Sequence, residues 1–257
     1  MSTFNDIKVL FLTGAPKSKL LDTLVNNNIS VSGVVVPKSQ KYFSKYQEVI
    51  LTAESHSIKT ICAPPQNLYD YIKDIEFNVL LSCGYPFLIP EDVFSRAMYA
   101  VNFHPTLLPK YRGRYLHYIL INNDEYSGVT AHLIDSSLDT GPIIKQELFK
   151  VSPFDTVKSL LRKSSEVEIQ LVIDTLNLIK SGSVKVESQD ESQASHYFKK
   201  RTPEDSEVDP NKSLKELFYQ IRSCDPVEYP AFFYINGQKV YINLYRKDKP
   251  SDEFDMI

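Results

Sequence analysis

"IKVLFLT", Ile7–Thr13, decides the architecture. Isoleucine, valine, phenylalanine and two leucines crowd a run too short for a helix and bounded by Gly14. A strand with one wet face would alternate apolar and polar residues. A run apolar on both faces reads as a fully buried strand. Outward from it, Ser18–Asn27 spaces Leu20, Leu21, Leu24 and Val25 as one face of a helix. Ile29–Val36 is β-branched and closed by Pro37. Tyr42–His56 suits a second helix, Ile58–Cys62 a short strand and Asn67–Ile72 a short helix. Asn78–Ser82, "NVLLS", is another buried strand, Glu91–Arg96 is helical, and Met98–Phe103 is again a strand. Alternating apolar strands and helices predict a parallel sheet covered on both faces.

The pattern continues with a helix near Tyr115–Asn122 and strands at Val129–Ile134 and Pro142–Lys150. Pro153–Ser181 reads as one long amphipathic helix, its apolar face running through Val157, Leu160, Leu161, Val167, Ile169, Val172, Ile173, Leu176 and Ile179. Gly182 supplies a stop, and the polar stretch Ser181–Ser195 reads as a linker. In the second unit Ser213–Ser223 is helical, with Leu214, Leu217, Ile221 and Phe218 facing a core. "FFYINGQKVYINLY", Phe232–Tyr245, is a hairpin turning at Asn236-Gly237. The fold class expected is α/β: a Rossmann-like, mostly parallel sheet with helices on both faces, plus a small C-terminal α+β domain with a β-hairpin. Its divisions are a main domain over 1–182, a linker over 183–198 and a small domain over 199–257.

The bulk properties are those of a soluble chain. Hydrophobic residues make up 42% and charged residues 24%, and the formal net charge is −3. A long polyanion calls for a basic face, so nucleic acid is not the expected partner. Cys62, Cys83 and Cys224 form no pairing framework and no CxxC pattern, which fits a reducing compartment. The apolar run near the start is too short for a membrane span, and an acidic residue precedes it where a secretion signal carries positive charge. A cytoplasmic protein with no membrane partner is expected.

Ligands on such sheets bind beyond the carboxyl ends of strands. "NFHPTLLPKYRG", Asn102–Gly113, begins at one of those ends. A GxGxxG dinucleotide fingerprint, a Walker loop, a GxSxG elbow and an HExxH pair are all absent from the chain. His104, His117 and His132 lack the spacing of a metal pair, so no metal is expected, and structural roles are favoured for His117 and His132. Cys83, with an apolar flank, reads as a buried structural thiol rather than a nucleophile. What remains is Asn102, His104 and the segment Asp135–Gly141, "DSSLDTG". An amide donor, an imidazole and a carboxylate suit attack of an amine on an acyl carbon: the amide steadies the oxyanion, and the imidazole and carboxylate manage protons. A proline-stiffened loop and an Asp-Gly turn would look the same by spacing alone.

"NFHPTLLPKYRG" resembles the Asn-x-His-Pro-Ser-Leu-Leu-Pro-x-Tyr-Arg-Gly signature of the folate-dependent formyltransferases, with Thr106 in place of the usual Ser. "SGVTAHLIDSSLDTGPII", Ser127–Ile144, resembles that family's Asp-Thr-Gly segment, and "SCGYPFLIP", Ser82–Pro90, its loop beside the folate. The stretch from "KRTPED" to "KVYI" resembles the second domain of the methionyl-tRNA and sugar-nucleotide branches. The resemblance implies catalytic roles for Asn102, His104 and Asp139, with 10-formyltetrahydrofolate as formyl donor and no metal. It implies donor contacts, largely through backbone, from Ser82, Cys83, Gly84, Tyr85, Leu88, Asp135, Leu138 and Gly141.

Within the resemblance, the acceptor implied is the amine of a nucleotide-linked deoxyamino sugar, a precursor of a surface polysaccharide such as lipopolysaccharide O-antigen. The negative net charge, the short segment after the first strand and Leu116 at a position where the methionyl-tRNA branch commonly has Pro all weigh against tRNA. Methionyl-tRNA formyl transfer is the alternative enzyme, and a nucleotide-sugar-binding module without catalysis the alternative from another class. Lys110, Tyr111, Arg112 and Arg114 are candidates for substrate contact, or else a solvated loop. Lys200 and Arg201 either reach the substrate or pair with Glu204 or Asp205. Arg222 is a packing or interdomain residue. Phe232, Phe233, Val240 and Ile242 either bury in the small domain or pair with a second copy in a homodimer.

Overall fold

The computed structural model describes residues 6–113, 116–197 and 201–249. In chain order it runs β1 (Lys8–Leu12), α1 (Ser18–Asn26), β2 (Ser30–Pro37), α2 (Gln40–Ser55), β3 (Thr60–Ala63), α3 (Leu68–Ile72), β4 (Val79–Cys83), α4 (Glu91–Phe94) and β5 (Tyr99–His104). Then come the two-residue β6 (Arg112–Gly113), α5 (Leu116–Ile121), β7 (Tyr126–Leu133), β8 (Ile143–Lys150), α6 (Val157–Lys180), the two-residue β9 (His196–Tyr197), α7 (Leu214–Arg222), β10 (Ala231–Ile235) and β11 (Gln238–Ile242). Seven strands form one sheet in the order β3-β2-β1-β4-β5-β7-β8. The first five are parallel; β7 pairs antiparallel with β5, and β8 antiparallel with β7. β10 and β11 make the separate C-terminal hairpin.

The apolar runs are continuous because both sheet faces are covered. Val9 and Phe11 of β1 join Val79, Leu81 and Cys83 of β4 beneath α1, α2 and α6. Leu10 and Leu12, with Leu80, face the other way against Leu68 and Ile72 of α3 and Val93 of α4. Successive strand residues point to opposite faces, so each strand feeds both cores. Among the described residues no helix is long and apolar enough to cross a membrane.

Three details depart from the sequence expectation. α6 begins at Val157 rather than at Pro153, because Thr156 caps it reciprocally with Ser159 while the buried Asp155, just ahead of the helix, accepts from the Ser152 amide, the Ser159 hydroxyl and Lys163. Leu214 does not face a core: it is the first residue of α7 and is 86% exposed, whereas Leu217 and Ile221 are buried with Val208, Cys224 and Ala231. Leu161, expected on the apolar face of α6, is exposed.

The stretch expected as a linker is held against the main domain along much of its length. Ile143 and Glu187 exchange backbone hydrogen bonds of 2.8 and 2.9 Å. Further on, the Arg112 amide donates to the Ser195 carbonyl at 2.9 Å, and β6 pairs with β9. The small domain is joined by Arg222, which is 1% exposed and donates to the carbonyls of Ser152, Pro153 and Leu120 and to Asn123 Oδ1. In the hairpin, Phe232 is buried while Tyr234, Ile235 and Tyr241 are exposed.

Candidate active site

β4 and β5 are parallel neighbours with Ser82 beside Asn102, so their carboxyl ends open on one cleft. β5 delivers Asn102 and His104 to that edge, and the loop after β7 folds back to bring Asp139 between them. The Asp135 carboxylate organises this loop, accepting from the Ser137 amide and the Thr140 hydroxyl. Asp139 itself sits at φ 57°, the left-handed region in which residues other than glycine are uncommon.

The Asp139 carboxylate is nearly buried, and both of its oxygens have polar partners. Oδ2 accepts from the Gly113 amide at 2.9 Å and lies 3.4 Å from His104 Nδ1. Oδ1 accepts from Asn102 Nδ2 at 3.4 Å and lies 3.7 Å from His132 Nε2. Burial alone pushes this carboxyl up, but His104, His132 and the Gly113 amide outweigh it and bring it down to about 2. Asp139 is therefore ionised at neutral pH. Burial pushes the His104 imidazole below its ordinary 6.5, against the pull of Asp139 and of the Tyr111 carbonyl.

Hydrogen bonds fix both imidazoles. His104 Nε2 lies 3.0 Å from the Tyr111 carbonyl, which only accepts, so the proton of the neutral ring belongs on Nε2. That leaves the Nδ1 lone pair beside the Asp139 carboxylate, ready to take a proton and be stabilised by it. His132 Nδ1 donates to the Leu133 carbonyl at 2.8 Å, so its Nε2 accepts from Asn102 Nδ2 at 3.1 Å. The Asn102 amide is thereby oriented with its nitrogen toward His132 and Asp139. Of its two N–H groups, the one on Asp139 is held by the longer contact and is freer to turn onto another acceptor.

Asn102 and Asp139 stand where two hollows meet. The smaller, about 70 Å³, is walled by Ser82, Tyr85, Phe87, Leu88, Ile134 and Leu138. The larger, about 600 Å³, runs past His104 to Leu116, His117, Val157 and Leu161. Gly84 lies at their edge with φ 74°, and a Cβ there would stand 2.8 Å from that of Ala15. Burial, then the charge of Arg201, bring His117 down to about 4, so the imidazole in the far wall of the larger hollow is neutral at neutral pH.

The formyl transferase family profile matches residues 7–176, a range that includes Asn102, His104, His132 and Asp139. The chain belongs to the formyl transferase family. A methionyl-tRNA formyltransferase of Thermotoga maritima is 28% identical across 98% of this chain and 83% of its own length. A 4-N formyltransferase from Francisella tularensis superposes with a TM-score of 0.76 at 21% identity, covering 93% of this chain and 97% of its own. An N-formyltransferase from Helicobacter canadensis, solved with folinic acid and dTDP-3-aminofucose, gives 0.73 at 21% identity, covering 91% and 86%. At that identity the structural likeness is one of fold.

For this formyl transferase the structure sorts the residues singled out in the sequence. Ser82, Tyr85, Leu88, Asp135 and Leu138 line the smaller hollow, and Gly84 the larger. Cys83 does not line either: its side chain is fully buried in the core and its carbonyl accepts from the Thr13 hydroxyl. Gly141 lies behind the wall, where a Cβ would fall 1.8 Å from the Leu133 carbonyl, so close backbone packing accounts for it. Tyr111 and Arg112 are engaged within the protein. The Tyr111 hydroxyl donates to Asp124 at 2.7 Å, and the Arg112 guanidinium is buried on Gln189 and Glu191. Lys110 lines a separate hollow of about 260 Å³ with Asp124 and Glu125. Arg114 and Lys200 lie outside the described residues. Arg201 turns into its own domain, donating to the Ser223 carbonyl and the Ser206 hydroxyl. Sequence reasoning missed the orienting role of His132 and the place of His117 in the wall. Their only signal was position: His132 opposes Asn102 in the β5–β7 ladder, and the strand register that sets this is not printed in the sequence.

Proposed function

We propose that the protein transfers the formyl group of 10-formyltetrahydrofolate to the amine of a nucleotide-linked deoxyamino sugar, a precursor of a surface polysaccharide. The observation that carries this reading is the meeting of two hollows of unequal size at Asn102 and Asp139. The smaller, with aromatic and aliphatic walls, suits a flat ring. Its fit has a polar mark: the Tyr85 hydroxyl is buried there with no hydrogen-bond partner among the described residues. The larger has the volume of a small-molecule site, with the neutral His117 ring in its far wall. The Helicobacter canadensis structure, bound to folinic acid and dTDP-3-aminofucose, supports the pairing of ligands.

In this reading, the smaller hollow and the Gly84–Leu88 loop hold the donor, which supplies an electrophilic formyl carbon. Asn102 turns its freer N–H onto the formyl oxygen, where charge develops as the acceptor nitrogen adds to the carbon. His104 takes the proton of that nitrogen on Nδ1, and Asp139 stabilises the imidazolium. A proton returned to the donor nitrogen lets its bond to the formyl carbon break. The products are a formamide and tetrahydrofolate.

Methionyl-tRNA is the second reading, favoured by the Thermotoga maritima relative. The chain has 29 Lys and Arg against 32 Asp and Glu, a poor balance for neutralising tRNA phosphates. A panel of nucleotide-linked amino sugars incubated with the enzyme and 10-formyltetrahydrofolate decides between them. The expected result is a mass gain of one formyl group on a sugar. Formylation of methionyl-tRNA with no sugar modified would reverse the choice.

A further inference from the structure

We propose that Gln189 is a positioning residue of the transferase, its carboxamide bracing the backbone of the Asp139 turn so that the carboxylate meets His104 and Gly113. This rests on the catalytic reading of Asp139 above. Gln189 comes from the segment that composition marks as a linker, yet its side chain spans the base of the catalytic loop. Nε2 donates to the Asp139 carbonyl at 2.9 Å and to the Gly141 carbonyl at 2.8 Å. Oε1 accepts from Arg112 Nε at 3.0 Å and Nη2 at 2.7 Å. The Arg112 guanidinium is 1% exposed and is clamped from its other side by Glu191, with Nη1 2.9 Å from Oε2 and Nη2 2.6 Å from Oε1.

These contacts converge on one unusual residue. Asp139 holds a positive φ, a conformation that surrounding structure has to enforce. Gly113 fixes its carboxylate directly, and Arg112, the adjacent residue of β6, fixes its backbone through Gln189. A carboxamide alone among side chains of this length offers two donors to the carbonyls and an acceptor to the guanidinium. Glutamate lacks the donors, and lysine or arginine lacks the acceptor. The segment is pinned on both sides of Gln189, by the Ile143–Glu187 backbone pair and by the Ser195 hydroxyl, which accepts from the Tyr111 amide at 2.8 Å.

The test compares Gln189→Glu and Gln189→Leu with wild type and Asp139→Asn, in the full chain. Gln189→Glu keeps the size and the oxygen for Arg112 while losing both donors; it serves if the leucine variant fails to fold. The first readout is the titration of the His104 imidazole by NMR with labelled histidine, which needs no substrate. Asp139 pulls the His104 pKa up, so a displaced carboxylate lets it fall. His104 is expected to titrate at lower pH in both Gln189 variants, in the direction that Asp139→Asn defines. The second readout is formyl transfer: kcat falls about 10- to 100-fold with little change in KM for the donor, the mark of a misplaced catalytic group. Wild-type His104 titration and wild-type kcat in Gln189→Glu, beside an inactive Asp139→Asn, would overturn the proposal and leave the role of Asp139 standing. Undiminished transfer by Asp139→Asn would remove that role and the proposal with it.

Discussion

At the scale of the residue, two protonation states are set by opposite balances. Asp139 is buried, but His104, His132 and the Gly113 amide outweigh burial and it stays ionised; His104 is buried beside that charge, yet burial prevails and the ring is neutral at neutral pH. A neutral His104 with Nδ1 open is the form that accepts a proton. The sign of the pH dependence follows. Protonating His104 before the reaction removes the base, so kcat/KM should be level above the His104 pKa and fall on its acid side, below pH 6.5. In Asp139→Asn the imidazolium loses its stabilising charge. The acid limb should shift to lower pH, while the plateau drops by about 10²- to 10⁴-fold. Profiles of kcat/KM against pH for the two proteins check this; a limb that moves to higher pH in the variant would refute the assignment of the base.

At the scale of the element, the sequence discloses what periodicity encodes and hides what long-range pairing decides. β1, β4 and β5 were legible because residues buried on two faces leave an unbroken apolar run, and α7 because Leu217 and Ile221 share a helical face. The reversal of β7 was not legible: a buried strand has the same composition in either direction. Asn102, His104 and Asp139 stand out together only through a matching family motif, since spacing alone favours a stiff loop and a turn. The bracing by Gln189 was invisible, because a polar residue that bonds to carbonyls 48 and 50 positions away looks like any linker residue. The loop after β4 shows how an element can depend on one glycine. With φ 74° and the Ala15 Cβ 2.8 Å from where a side chain would begin, Gly84→Ala strains the backbone and pushes the loops after β1 and β4 apart. Stability should fall by about 1–2 kcal/mol. The dissociation constant for the folate donor, measured by calorimetry, should rise by about tenfold or more. Unchanged donor affinity would show that this loop does not form the donor's wall.

At the scale of the whole molecule, the question is what makes two units one body. The small domain has a modest core in Val208, Leu217, Ile221, Cys224 and Ala231, and a core of that size is marginal on its own. Arg222 ties it to the main domain by reaching four acceptors: three carbonyls and the Asn123 amide oxygen. The charge is fixed beneath Phe218 and Tyr219, whose rings lie 5.9 and 5.0 Å from the guanidinium carbon. Arg222→Met preserves much of the aliphatic bulk and removes every donor, leaving these acceptors to find water in a closed interface. The cost should be roughly 2–4 kcal/mol. Arg222→Lys should recover little of it, because one ammonium cannot serve a planar fork of acceptors. The loss should be uneven. In hydrogen exchange read by mass spectrometry, the amides of α7, β10 and β11 should lose protection while those of β1 and β4 keep theirs. Asn102, His104 and Asp139 all lie in the main domain, so donor binding should survive. Equal loss of protection across both units would mean that the domains fold as one and that Arg222 is a core residue rather than a joint.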